Sequence, residues 1–119
     1  MDTSGHEIGP APLQIDRSSD GHGRVCLAVA GELDISNLDR LRHAVDGVLA
    51  EPGVTALVLD LRPLQFIDSS GVQVLMRGRR TAAGRGIDFG ILNAHGKVLR
   101  VLSVLGVHDV LSITEQPEL

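Results

Sequence analysis

The side chains best suited to chemistry lie in one short run, Asp68-Ser69-Ser70-Gly71, and otherwise in five scattered histidines and a single cysteine. A serine becomes a nucleophile when a base takes its proton, and hydrolases commonly mount it on a Gly-x-Ser-x-Gly elbow. That elbow is absent, because Asp68 precedes Ser69 and no glycine stands ahead of it. His43 falls within a helical pattern, while His6, His22, His95 and His108 fall in turns and termini. No spacing ties any of them to a nucleophile or a metal, so they read as surface histidines. Gly84-Arg85-Gly86 and Gly96-Lys97 lack the spacing of a phosphate-binding loop, and no cofactor is expected. Cys26, alone in an apolar run, reads as a buried thiol with no intramolecular disulfide partner and no requirement for an oxidising compartment. Arg77, Arg79, Arg80 and Arg85 form the one basic cluster, either a solvated helix face or a docking surface for an acidic partner.

Asp68, Ser69 and Ser70 all carry short side-chain oxygens that can accept a hydrogen bond from the unpaired amides of a first helical turn. Capping alone would explain them. Their position adds something further. They follow an apolar strand and a short apolar connection, Leu64 to Ile67, which puts them at the carboxyl edge of the sheet, where ligands and partners approach open α/β folds.

The elements that must position the run can be read along the chain. Ala11 to Ile15 predicts a short strand, followed by a polar turn from Asp16 to Gly23, and Val25 to Ala30 predicts a second strand paired with it as a hairpin. Gly31-Glu32-Leu33-Asp34 closes that strand. Ser36 or Asn37 can then cap a helix whose apolar residues Leu38, Leu41, Val45, Val48 and Leu49 recur every three or four positions. Thr55 to Leu61 is apolar on both faces, as a central strand should be. Beyond the serines, Val72, Leu75, Met76 and Ala83 predict the buried stripe of a helix ended by Gly84-Arg85-Gly86. Ile87 to Leu92 predicts a strand, Val98, Leu102 and Leu105 a last amphipathic helix closed by Gly106, and Val107 to Ile113 a short final segment. This alternation predicts an α/β fold with a mixed, mostly parallel sheet of four to five strands packed with amphipathic helices. Residues 1–10 and 114–119 are expected to be flexible ends around a single domain of 11–113.

Composition fits that reading. The chain has 119 residues, 43% of them hydrophobic, which is enough for one continuous core. Phe66 and Phe89 are its only large aromatics, and its net charge is −4, so neither base stacking nor a positive field favours direct nucleic-acid binding. The first residues lack the basic and apolar blocks of a signal peptide, and no apolar run approaches a membrane span, so a cytoplasmic protein is expected.

Three segments in order, Gly31-Glu32-Leu33-Asp34, Phe66-Ile67-Asp68-Ser69-Ser70-Gly71-Val72 and Val104-Leu105-Gly106-Val107, carry a resemblance. Over roughly residues 11 to 113 the chain resembles the STAS domain, shared by bacterial anti-sigma factor antagonists and the cytoplasmic tails of sulfate transporters. For the antagonists, the resemblance implies a non-enzymatic protein whose first serine of the run, here Ser69, is phosphorylated by an anti-sigma factor that is itself a histidine-kinase-like ATPase. It also implies a serine phosphatase as a second partner. Ser70 is implied as a neighbour of the target, and Asp34, Asp68, Ser69, Ser70 and Gly71 as the partner-binding set. Asp34 could equally be a cap or turn carboxylate, and Asp68 could cap the helix, orient Ser69 or touch the partner. The alternative implied by the same resemblance is a scaffold or transporter accessory subunit that is not phosphoregulated.

Overall fold

The computed structural model describes residues 12–113, and the two expected flexible ends lie outside the described residues. Nine elements follow one another: β1 (Gln14–Ser19), β2 (Arg24–Leu33), α1 (Leu38–Leu49), β3 (Ala56–Asp60), β4 (Leu64–Ile67), α2 (Ser69–Gly84), β5 (Asp88–Leu92), α3 (Gly96–Val104) and α4 (His108–Leu111). The sheet is five-stranded and mixed, in the order β1-β2-β3-β5, with β4 joined to β2 off that path. Only the β1–β2 hairpin is antiparallel; the β2–β3, β3–β5 and β2–β4 pairs are parallel.

β2 is the longest strand and alternates strictly, with Val25, Leu27, Val29, Gly31 and Leu33 buried and the residues between them half-buried. One face therefore meets the helical layer and the other is more open. β2 pairs with β3 through Arg24 to Ala28 and with β4 through Gly31 to Leu33. Between the two runs the register shifts at Gly31/Glu32, and Gly31 has φ 95° there. Glycine reaches such a conformation without steric cost, which makes it the natural residue for a bulge. β3 is buried at Leu57, Val58 and Leu59, as its two-sided apolar run predicts.

α1 and α2 pack on each other and cover the buried face of the sheet with Leu41, Val45, Val48, Leu49, Val72, Leu75 and Ala82. Both α2 and α3 end in the same way. Gly86 (φ 70°) follows α2, with the Ile87 amide donating to Ala82 O and the Gly86 amide to Ala83 O; Gly106 (φ 74°) follows α3, with Val107 donating to Leu102 O and Gly106 to Ser103 O. Each is a left-handed glycine stop that satisfies the last carbonyls of its helix.

Several expectations are corrected. Asp16 to Ser19 form most of β1 rather than a turn, because an edge strand exposed along its length tolerates polar side chains; the turn is Asp20 to Gly23 alone. Leu64 to Ile67 is a strand, β4, rather than a connection. Along α2 the buried stripe runs through Val72, Leu75, Gly78 and Ala82, with Ala83 exposed and Met76 half-buried. Leu105 is 47% exposed at the end of α3. Cys26 is half-buried on the open face of β2, and desolvation pushes its thiol above the ordinary value.

Candidate functional site

The site is built where β4 hands over to α2. Ile67, fully buried, anchors the strand end, and the Asp68 amide donates to Leu33 O at 3.3 Å, holding the junction against the end of β2. Of the three possible caps, Asp68 is the one used. It is extended (φ −107°, ψ 179°), and its Oδ1 accepts from the Gly71 amide at 3.0 Å and from the Ser70 hydroxyl at 2.6 Å. Its carbonyl accepts the first helical bond, from the Val72 amide. This is the standard geometry in which a short carboxylate satisfies an orphan amide.

The two serines are thereby distinguished. Ser70 is half-buried and its hydroxyl is committed to Asp68. Ser69 is exposed on the first turn of α2, and its hydroxyl has no hydrogen-bond partner among the described residues. Gly71 is buried beneath them: a β-carbon there would lie 2.8 Å from Ile67 Cγ1 and 2.9 Å from Leu33 Cδ2. Gly71 therefore lets the helix start settle onto β2 and β4, and offers little surface of its own.

Asp34 lies in the loop between β2 and α1. Its Oδ1 accepts from the Ser36 amide (2.9 Å) and hydroxyl (2.6 Å), a side-chain-closed turn. Asn37 locks the same loop, since its Oδ1 accepts from the Asp34 amide at 3.0 Å and its Nδ2 donates to Glu32 O at 2.9 Å. Asn37 precedes α1 without capping it through its side chain, so its contribution is to fix Asp34. Sequence reasoning weighed Asn37 only as a cap and passed over Ile35, which stands 78% exposed in this loop. The surviving sequence signal for Ile35 is a bulky apolar residue in an otherwise polar turn.

The two loops meet at Asp68. Partial burial pushes its carboxyl up, but hydrogen bonds from the Ser70 hydroxyl and the Gly71 amide, with the nearby Ser70 and Ile35 amides adding to the pull, outweigh that and hold it below the ordinary aspartate value. A depressed carboxyl stabilises the fold above its unfolded value, and that stability is lost as pH falls through the folded one. Asp68→Ala is expected to cost about 1 kcal/mol at neutral pH. Thermal melts of both proteins should show the gap closing once the pH drops below the usual aspartate range; a gap that persists in acid would sink the carboxylate-cap account.

Among the described residues no base is seated on Ser69, and the adjacent carboxylate serves Ser70 and Gly71. His95 Nε2 is engaged with Arg62 O at 2.6 Å. Among the described residues no group of three or more His, Cys, Asp or Glu could hold a metal ion, and no helix is long and apolar enough to cross a membrane.

These residues build a mixed-sheet α/β domain with an aspartate-capped helix and an exposed serine at its carboxyl edge. The family described as "Mlab, STAS domain" matches residues 15–114, and the chain belongs to the STAS domain family. It is similar to an anti-sigma F factor antagonist of Paenibacillus polymyxa, 28% identical over 91 residues that cover 76% of this chain and 78% of that protein. It is also similar to the anti-sigma-F factor antagonist RsfB of Mycobacterium tuberculosis, 33% identical over 82 residues, 69% of this chain and 65% of that one. Among solved structures, the anti-sigma factor antagonist SpoIIAA superposes in its unphosphorylated form with a TM-score of 0.74 at 21% identity, covering 88% of this chain and 90% of that one. Its phosphorylated form superposes at 0.67 and 20% identity, covering 88% and 94%. These superpositions establish the fold.

Proposed function

We propose that this chain is an anti-sigma factor antagonist switched by phosphorylation of Ser69. Unphosphorylated, it binds an anti-sigma factor that is also a serine kinase, of the histidine-kinase-like ATPase type, and so frees a sigma factor in the cytoplasm. Phosphorylated, it lets go, and a serine phosphatase resets it. The names of the relatives in Paenibacillus polymyxa and Mycobacterium tuberculosis support the general role. The observation that carries the switch is the inequality of the serines: Ser69 is exposed with no side-chain hydrogen bond among the described residues, while Ser70 is held by Asp68 at 2.6 Å.

In this reading Asp34, Ile35, Asp68, Ser69 and Ser70 form the partner-facing surface, and Gly71 supports it from below. A phosphate on Ser69 adds about −1.5 to −2 charge. It stands on the first turn of a 16-residue helix, where free amides and the positive end of the dipole favour an anion, so the fold tolerates it. The cost falls instead on the complex, in which the dianion would be buried beside Asp68 and close to the kinase's own nucleotide phosphates. Phosphotransfer tests this directly. Incubation with ATP and a purified candidate anti-sigma kinase, followed by peptide mass spectrometry, should place one phosphate on Ser69 and none on Ser69→Ala. Full incorporation into Ser69→Ala would remove the assignment.

A further inference from the structure

The basic cluster of the sequence separates into distinct environments. Arg85 donates to Leu49 O at 2.9 Å and serves the junction of α1 and α2, while Arg79 lines a separate depression beside Ile87 and Asp88. Arg77 and Arg80 join Arg42 of α1 along a groove of about 490 Å³ between the two helices, with Leu38, Ser70, Gln73 and Val74 also lining it. Ser70, Gln73, Val74, Arg77 and Arg80 recur every three or four positions, which makes one stripe of α2. The groove thus begins one residue from Ser69 and runs down the helix for about 15 Å, at 1.5 Å per residue over ten residues.

Two of its three cations are held only by surface ion pairs and one is uncommitted among the described residues. Arg42 pairs with Asp39 at 2.7 Å and Arg77 with Asp46 at 2.9 Å, both across partly exposed side chains, and such surface pairs hold weakly. Arg80 has no ion pair among the described residues. Three guanidinium groups therefore border a strip with an apolar floor, on a chain whose net charge is −4.

We propose that this groove docks an acidic, leucine-bearing segment of the anti-sigma partner, laid alongside α2 and continuous with the Ser69 surface. The inference rests on the partner-switching reading above. About five residues of extended chain, at roughly 3.3 Å each, would span the groove. Their carboxylates would take Arg80 directly and compete with Asp39 and Asp46 for Arg42 and Arg77, while apolar side chains would cover Leu38 and Val74. A protein segment is favoured over nucleic acid because Leu38, Val74 and Met76 line the groove, and apolar side chains can cover them where a phosphate backbone cannot.

The test uses the full chain and a labelled hexapeptide of four glutamates and two leucines, with its lysine counterpart and a single-stranded decanucleotide as controls. In heteronuclear NMR titration the acidic peptide should saturate, shift Leu38, Arg42, Gln73, Arg77 and Arg80, and weaken as salt is raised. Arg80→Glu should weaken it about tenfold and Arg42→Glu/Arg80→Glu further, with circular dichroism confirming that the substitutions, at exposed Arg80 and half-buried Arg42, leave the fold intact. Failure to saturate, shifts elsewhere, indifference to Arg80→Glu, or tighter binding of the oligonucleotide would each overturn the groove assignment. Phosphate incorporation at Ser69 is read separately. Normal incorporation with no peptide binding removes the groove alone, and peptide binding with no incorporation removes the switch alone.

Discussion

Ser69→Asp is expected to weaken binding to the anti-sigma kinase by at least tenfold, and phosphorylation of Ser69 itself on the order of a hundredfold, while thermal stability stays almost unchanged. The separation of the two effects follows from geometry. Ser69 is exposed and makes no side-chain hydrogen bond among the described residues, so replacing it removes nothing from the fold. A negative group on the first turn of α2 is favoured by the helix dipole by up to about 1 kcal/mol at an exposed site, which offsets its proximity to Asp68. In the complex the same charge must be desolvated, and a differential penalty of about 3 kcal/mol already corresponds to a hundredfold loss of affinity. Aspartate carries roughly half the charge of phosphoserine, hence the smaller effect of the substitution. Isothermal titration with the unphosphorylated, phosphorylated and Ser69→Asp proteins measures the series. Equal affinities for all three would end the charge-penalty mechanism, and a large fall in melting temperature would show instead that the charge acts by unfolding the helix start.

Gly71→Val is expected to act through the opposite route, destabilising the domain by about 3 kcal/mol, the upper part of the range for overpacking a tight core. The added β-carbon would sit 2.8 Å from Ile67 Cγ1 and 2.9 Å from Leu33 Cδ2, inside ordinary contact distance. Neither neighbour can swing into solvent, since Ile67 is 0% and Leu33 1% exposed. The better helix propensity of valine over glycine returns only a few tenths of a kcal/mol. Relief must therefore come from lifting the first turn of α2 off β2 and β4, which strains the Asp68 cap and moves Ser69. Urea unfolding should show a lower midpoint with little change in slope. A midpoint equal to wild type would mean that the helix start is not seated as described.

Much of this was legible in the sequence because hydrophobic period and punctuation agree. The apolar run from Val25 to Ala30, the three- and four-residue spacing from Leu38 to Leu49, the two-sided apolar run of β3 and the glycines at 86 and 106 each speak for one element only, though β2 itself runs on to Leu33. β4 was not legible, because four residues with Leu64 and Ile67 buried and the two between them exposed follow no alternation; the strand exists by pairing with the far end of β2. β1 was placed too early for a similar reason, as beyond Ile15 this edge strand is polar and its partner supplies the register. At the site, three adjacent residues could all cap a helix, and only the structure separates the cap, Asp68, from the committed serine and the uncommitted one. The meeting of the Asp34 loop with Asp68, through the Asp68 amide on Leu33 O, joins positions more than thirty residues apart, which no local pattern encodes.

That meeting has a thermodynamic consequence for recognition. A loop that floats before binding must be ordered when the partner arrives, at a cost of about 0.5–1.5 kcal/mol for each side chain immobilised. Here Asp34 is closed by Ser36 and braced by Asn37, and the Asp68 amide ties the start of α2 to Leu33 O at the head of that loop. The entropy of bringing the two loops into register has already been spent in folding. The partner therefore meets a preorganised composite surface, on which the presence or absence of a single phosphate can decide the outcome without being blurred by loop rearrangement.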